Sequence, residues 1–266
     1  MASSSRVEIL NEGGLRVDGR RPYELRSVSM TFSPQAHADG SATMQQGLTT
    51  VTVSVFGPRE PRSRANAIHD RANLVVEVGV AGWSQPGVGQ RNRGDKRLTE
   101  VGATIRQTFE PVIMSHLYPR SEISIYVQVL GSDGGILPTA INATTLALID
   151  AGVAMTDYIT SLSVGLHLTQ PLLDLSSPEE SDIPYLVVAS LPGTGKVTLA
   201  TLETRIHVDR FEEMLAVGVE GCKILKAEME GEVKKRTGTM VERMKLNALP
   251  DRAGGMKDSD RDILMT

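Results

Sequence analysis

Residues 123–151, which indicate the fold most clearly, read ISIYVQVLGSDGGILPTAINATTLALIDA. The first part of this stretch, residues 123–130, is rich in isoleucine and valine and predicts a β-strand. A glycine-rich turn at residues 131–135 leads into a helix predicted over residues 139–151. Alanines recur along this helix, at Ala140, Ala143, Ala147 and Ala151. Small side chains at helical spacing let a helix approach its neighbours closely, so we expect this helix to pack tightly on a sheet.

Upstream of this stretch the sequence predicts further strands. The β-rich segments are residues 25–33, 42–45, 49–56 and 73–80. Turn signals at residues 38–40 and at Gly47 separate the first three. In residues 49–56, TTVTVSVF, valine alternates with hydroxyl residues, which is typical of a half-buried strand.

A polar, glycine-rich loop and a long helix follow these strands. Residues 84–94 have no hydrophobic period and predict a mobile loop. Asp95 is the expected N-cap of the helix, and Pro119 its expected end. Apolar residues at three- and four-residue spacing predict one buried face, made of Leu98, Val101, Ile105, Phe109, Val112 and Leu117.

The second half repeats this scheme of strands followed by a helix. Strands are predicted over residues 159–165, 185–189 and 197–202. The turn between the last two, PGTGK at residues 192–196, lacks the first glycine and the final Ser or Thr of a phosphate-binding P-loop, so we interpret it as a β-turn. A final helix is predicted over residues 208–236.

These elements predict one α/β domain with a mixed sheet and helices, covering residues 8–236. Residues 1–7 are expected to be flexible. Residues 237–266 are polar and rich in Gly and Asp, which predicts a flexible C-terminal tail.

Composition narrows the classes of function. A net charge of −4 argues against nucleic acid covering every face, although it leaves room for a local basic site. The one cysteine rules out an internal disulfide and fits a reducing compartment. The five histidines have no metal-site spacing, and no apolar run approaches the length of a membrane span. We therefore expect no metal, no cofactor and no membrane partner.

Two basic segments are candidates for binding an anion. Residues 59–71 carry Arg59, Arg62, Arg64 and Arg71 against two acidic residues; a solvated loop is the equally plain alternative. Lys96 and Arg97 lie in the first turn of a helix, where cations oppose the helix dipole by about 0.3–1 kcal/mol each. This placement is favourable if an anion binds at the helix start. The alternative is a solvated helix start that is capped by Asp95.

A third candidate is the turn DGGILPT at residues 133–139, which precedes a helix N-terminus. Its backbone N–H groups could hold a phosphate. Ile136 and Leu137, however, supply no side-chain donor. The acidic pair Glu179 and Glu180, by its sequence alone, is interpreted as part of a solvated loop.

Taken in order, short motifs spread along the chain resemble the RNase PH family, and within it the ring subunit that carries the active site in archaeal exosomes. They are GLRVDGRR at 14–21, ELR at 24–26, ADGS at 38–41, YPRS at 118–121, DGG at 133–135, INA at 141–143, LIDAG at 148–152, SVG at 163–165 and LD at 173–174. The resemblance spans about residues 8–235.

The resemblance implies the RNase PH fold and membership of a six-subunit exosome ring. Implied partners are other RNase PH-like subunits in a hetero-hexamer, RNA-binding cap subunits, a hydrolytic nuclease and single-stranded RNA threaded for 3′→5′ processing and decay, including rRNA and mRNA. The implied location is nucleus, nucleolus and cytoplasm. Lys96 and Arg97 match the basic pair that contacts RNA, and Arg62 and Arg64 fall in the loop that lines the pore.

Departures from the family pattern bear on catalysis. Active members follow the loop glycine, here Gly135, with a Ser or Thr and a phosphate-gripping arginine, whereas this chain has Ile136 and Leu137. Active members also carry two aspartates; Asp182 matches the second, and Glu180 is the acid nearest to the first. We therefore expect Gly135, Glu180 and Asp182 to be remnants of a site that has lost catalysis.

Two alternatives stay open at this point. The first is an active phosphate-dependent 3′→5′ exoribonuclease that uses Asp182, Glu180, Lys96 and Arg97, with an arginine supplied by a neighbouring subunit. The second is a stand-alone ring that trims tRNA 3′ ends.

Overall fold

A computed structural model describes residues 9–61, 68–84 and 95–248. The strands are β1 (Val28–Phe32), β2 (Gly40–Gln46), β3 (Thr49–Arg59), β4 (Asn73–Val80), β5 (Glu122–Gly131), β6 (Thr160–His167), β7 (Gln170–Leu173), β8 (Tyr185–Leu191) and β9 (Lys196–Leu202). The helices are α1 (Lys96–Phe109), α2 (Ile136–Asp150), α3 (Ser177–Asp182) and α4 (Val208–Ala248), with a short 3₁₀ helix at Ser115–Leu117.

The first sheet has five strands in the order β1-β2-β3-β5-β4. It is mixed, as predicted, because β4 runs parallel to β5 while the other pairs are antiparallel. Along β5, Ile125 and Val127 are buried while Tyr126 between them is only partly covered. This alternation places one apolar face of the sheet against α2.

Helix α2 is buried along most of its length because it contacts strands of both sheets. The predicted alanine positions Ala140, Ala143 and Ala147 are fully buried. On its other side the helix is tied to β6 through Asn142, whose amide group donates to Ser161 O at 2.8 Å and accepts from Ser161 N at 2.7 Å. The prediction of a tightly packed central helix is confirmed, and the helix begins at Ile136, earlier than predicted.

The second sheet is antiparallel, with four strands in the order β7-β6-β8-β9. Helix α4 covers one face of it, where Met214 packs into a cluster with Val164 and Val188. A Cβ atom at Gly218 of α4 would lie 3.0 Å from Val164 and 3.1 Å from Val188, so the missing side chain lets the helix approach the sheet closely. The turn after Leu191 is the predicted β-turn, closed by the N–H of Thr194 on Leu191 O at 3.1 Å.

Two predicted helix ends are wrong. Helix α1 ends at Phe109 rather than near Pro119, because the chain turns there and Ile113 pairs with Met155. Val112 lies in this turn and is buried, as predicted, whereas Leu117, also predicted to be buried, is exposed. Helix α4 continues to Ala248, past the predicted end at residue 236, so the segment predicted as a tail begins as helix.

Contacts along the chain divide it into a compact unit, Met1–Met229, and a second unit, Glu230–Thr266. Residues 1–7 and the part of the predicted tail from residue 249 onward lie outside the described residues. Within the described part of the chain, no helix is both long and apolar enough to cross a membrane.

Two buried arginines fasten the N-terminal segment onto the end of β7. Arg26 donates to Asp174 Oδ1 through Nε at 2.9 Å and Nη2 at 2.7 Å, and its Nη1 reaches Asp133 O at 2.8 Å. Arg16, 1% exposed, donates through Nη2 to the carbonyl oxygens of Pro22 and Leu173, each at 2.6 Å. These side chains belong to motifs that carried the family resemblance, and in the structure they satisfy buried acceptors.

We expect Arg26→Met to lower the free energy of unfolding by about 3–5 kcal/mol, because it leaves the Asp174 carboxylate buried without a cation. Arg210→Met is the control, since Arg210 pairs with Glu213 on an exposed surface and such pairs contribute about 0–1 kcal/mol. Urea unfolding of both variants measures the difference. Equal losses would contradict the anchoring role of Arg26.

Candidate nucleic-acid interface

A cleft of about 260 Å³ lies where the starts of α1 and α2 meet the second sheet. Apolar side chains make most of its wall: Val78, Val80, Leu98, Ile136, Leu137 and Val187. Its charged groups are Arg97, Glu180 and Glu203. The cleft therefore brings together the basic helix start, the glycine-rich turn and one of the two acids that the sequence analysis selected.

Lys96 and Arg97 are the first two residues of α1, and both are exposed. The predicted cap is present, since Asp95 Oδ1 accepts the backbone N–H of Arg97 at 3.2 Å. Leu98, 6% exposed, fixes the first turn against the protein interior. The helix start thus holds two cations in water beside the cleft, with Arg97 in its wall.

Gly135 is the N-cap of α2 and has left-handed backbone geometry, with φ 63°. A Cβ atom there would come within 2.6 Å of Arg26 Nη2, so both conformation and space favour glycine. Its N–H donates to Glu180 Oε1 at 2.7 Å. The retained glycine therefore has a structural reason that does not involve phosphate.

Glu180 approaches this turn from helix α3, a helix that was not predicted from the sequence. The helix begins with a capping box between Ser176 and Glu179, and Glu179 is buried rather than solvated. Burial raises the pKa of Glu180, and this outweighs the opposing effects of the Gly135 N–H and of Arg26. The interpretation of Glu179 and Glu180 as a solvated loop is wrong, because α3 packs both acids against the protein.

Glu180 accepts one of the N–H groups at the start of α2, that of Gly135. A helix N-terminus presents free N–H groups and a positive dipole end, which together favour a bound anion. Here the chain supplies a carboxyl group of its own. The next two residues, Ile136 and Leu137, are half-buried in the cleft wall and donate no side-chain hydrogen bond.

The other predicted site residues are less closely associated with this cleft. Asp182 is exposed at the end of α3 and is not among the described residues that line the cleft. Arg62 and Arg64 lie outside the described residues. Of the neighbouring arginines, Arg59 pairs with Asp39 at 3.0 Å and Arg71 with Glu110 at 3.5 Å.

Three contributors to the cleft region were not predicted from the sequence. Tyr185 lines the cleft, and burial, followed by the charges of Glu180 and Glu203, raises the pKa of its hydroxyl. Arg26 holds the glycine turn through Asp133 O. The ELR motif at residues 24–26 could have pointed to Arg26, whereas Glu203 carries no local signal.

The described residues hold no cluster of three or more His, Cys, Asp or Glu side chains that could bind a metal ion.

Comparison with known proteins identifies the class. The RNase PH family, described as the 3′ exoribonuclease family, domain 1, matches residues 24–154. The human exosome complex component RRP41 is 41% identical over 219 residues, which cover 82% of this chain and 89% of that protein. The exosome complex component SKI6 of Saccharomyces cerevisiae is 38% identical over 233 residues, covering 87% and 95% of the two chains. The chain therefore belongs to the RNase PH family of 3′ exoribonucleases.

Solved structures agree on the fold. Rice (Oryza sativa) Rrp46 superimposes with a TM-score of 0.74 at 23% identity, covering 82% of this chain and 100% of the other. The Archaeoglobus fulgidus exosome with RNA bound to the active site gives 0.70 at 20% identity, covering 82% and 93%. The predicted RNase PH fold is confirmed.

We expect Glu180→Gln to gain stability over the natural chain as pH rises. The pKa of Glu180 is raised in the folded state, so the protonated side chain stabilises the fold. This contribution to the free energy of unfolding is fully present below about pH 4.5 and is lost as pH rises through the folded pKa. Glutamine does not titrate and keeps an oxygen that can accept the Gly135 N–H. Thermal unfolding of both proteins at pH 4.5 and pH 7 measures the difference. A relative loss for the glutamine variant at pH 7 would show that the negative charge itself stabilises the turn.

Proposed function

We propose that the chain is a ring subunit of the RNA exosome that holds and guides single-stranded RNA without cleaving it. The observation that carries the proposal is the composition of the cleft at the start of α2. There Ile136 and Leu137 form the wall, and the Gly135 N–H is already bonded to Glu180 at 2.7 Å.

The chemistry of phosphorolysis explains why this cleft argues against catalysis. Inorganic phosphate must be held as the nucleophile, and fixed donors must meet the charge that develops during attack. Charge-assisted contacts from arginine are the strong ones for this purpose, and leucine offers none. The Glu180 carboxyl, when ionised, also repels an approaching phosphate.

The basic helix start supports the RNA-binding part of the proposal. Lys96 and Arg97 are exposed and belong to α1, so they do not depend on the altered turn before α2. Cations of this kind bind the phosphate backbone with little sequence preference. Arg62 and Arg64 are proposed as further contacts in the pore loop on the strength of the family resemblance.

The relatives support the proposed assembly, since human RRP41 and yeast SKI6 are both named exosome complex components. We propose a hetero-hexameric ring of RNase PH-like subunits, RNA-binding caps above it and an associated hydrolytic nuclease. Its substrates would be RNAs undergoing 3′→5′ processing and decay in nucleus, nucleolus and cytoplasm, including rRNA and mRNA. A stand-alone tRNA-trimming ring fits these names less well.

An active phosphorolytic exoribonuclease is the second candidate. Membership of a 3′ exoribonuclease family and the contact of Glu180 with the glycine turn favour it, and Asp182 lies on the same helix as Glu180. This candidate requires a phosphate-binding arginine from a neighbouring subunit.

Incubation of the reconstituted ring with RNA and inorganic phosphate separates the two candidates. We expect no phosphate-dependent release of nucleoside diphosphates that depends on this subunit, because Ile136 and Leu137 give the start of α2 no side-chain donor for the nucleophile. The same ring carrying Asp182→Ala is the control and should behave identically. Release that disappears with Asp182→Ala would establish catalysis and overturn this part of the proposal.

We expect the double variant Lys96→Glu and Arg97→Glu to weaken RNA binding by the ring and to reduce the salt dependence of that binding. Arg210→Glu with Lys223→Glu is the matched control, since it reverses two exposed charges on α4. Nuclease protection and binding titrations at several salt concentrations measure the effect. Equal binding by both double variants would remove the assigned role of the basic pair.

A further inference from the structure

Trp83 is the only tryptophan in the chain, and 79% of it is exposed to solvent. It lies in the turn directly after β4, which is closed by the N–H of Ser84 on Ala81 O at 3.0 Å. Ala81 also donates to Val129 O at 2.9 Å, and both Ala81 and Ser84 are buried. The turn is therefore fixed to the sheet while the large aromatic side chain is held in water.

The turn brings Trp83 close to the cleft. Val80, the last residue of β4, lines the same cleft as Arg97. Three residues of chain reach at most about 11 Å, which bounds the distance between the Cα atoms of Val80 and Trp83. An indole ring at this distance can reach a strand whose phosphates contact Arg97.

We propose that Trp83 is a stacking platform for a nucleobase of single-stranded RNA; this inference rests on the proposed function. Sites for single-stranded nucleic acid combine cations that follow the backbone with aromatic rings that stack on the bases. Lys96 and Arg97 supply the first component, and Trp83 supplies the second. Because every base has an aromatic face, the contact adds affinity without sequence preference.

The surroundings of Trp83 favour a base over a protein partner. Protein interfaces seat a tryptophan among further contacts that exclude water. Among the described residues between 68 and 109, Trp83 is the single large apolar side chain that is exposed. Its neighbours in the turn, Gly82 and Ser84, offer little apolar area. One exposed ring face is sufficient for a base, whereas it would make a poor protein contact.

The test uses the reconstituted ring, with 5-fluorotryptophan incorporated into this subunit alone and unstructured oligoadenylate as the probe. The fluorine resonance of Trp83 is expected to shift on RNA binding. Trp83→Ala should weaken binding about tenfold, which is the size of one base stacked on an aromatic ring. Trp83→Phe should retain most of the affinity. Since stacking releases no counterions, the slope of affinity against salt should stay unchanged in both variants.

Tyr23→Ala is the control, because it removes another exposed aromatic side chain and should not change RNA affinity. An unshifted resonance together with unchanged affinity of Trp83→Ala would overturn the inference. Loss of ring assembly in Trp83→Ala, measured by native mass spectrometry, would do so too and would assign the side chain to a protein contact.

Failure of the stacking role of Trp83 can be distinguished from failure of the proposed RNA-binding function. If Trp83→Ala has no effect while the double variant of Lys96 and Arg97 still weakens binding, the stacking role alone is lost. If neither change affects binding, the proposed RNA-binding function is lost as well.

Discussion

The buried ion pair between Arg26 and Asp174 is the constraint on which the functional region depends. The two side chains are 5% and 1% exposed and meet at 2.7 Å. Through Asp133 O, the same guanidinium also holds the glycine-rich turn before α2. Three distant segments therefore meet at one cation, and helix α3 begins shortly after Asp174. The contacts of Arg26 therefore determine that Glu180, on α3, lies next to the glycine-rich turn before α2.

The position of Glu180 has a direct chemical consequence. Its carboxyl oxygen uses the N–H of Gly135, and the adjoining wall of the cleft is apolar. Lys96 and Arg97 lie on a different helix and face solvent. Under the proposed function, a contact of these two residues with RNA does not require phosphate binding at the start of α2.

Much of the central architecture could be predicted from the sequence. The alternation of side chains in β5 and the alanines of α2 directly reflect which faces are buried. The prediction that β3 is half-buried is wrong, because its residues from Val51 to Val55 are buried on both faces of the sheet. The N-cap at Asp95 was also predictable, because capping depends on neighbouring residues alone. These features depend on residues that are close together in the sequence.

The features that were missed depend on contacts between distant segments. Helix α3 is short, and its Glu180 meets a partner 45 residues away in the chain. Arg16 and Arg26 have charged side chains that composition places on the surface, yet carbonyl and carboxylate acceptors more than 140 residues distant hold them inside. The continuation of α4 past residue 236 follows from a segment without proline, whose polar composition resembled that of a flexible tail.

The decisive experiment is a structure of the reconstituted ring prepared in inorganic phosphate with bound RNA. We expect the Glu180 carboxyl within hydrogen-bonding distance of Gly135 N, no phosphate at the start of α2, and RNA phosphates beside Lys96 and Arg97. Phosphate bonded to the Gly135 N–H, with Glu180 displaced, would contradict this expectation.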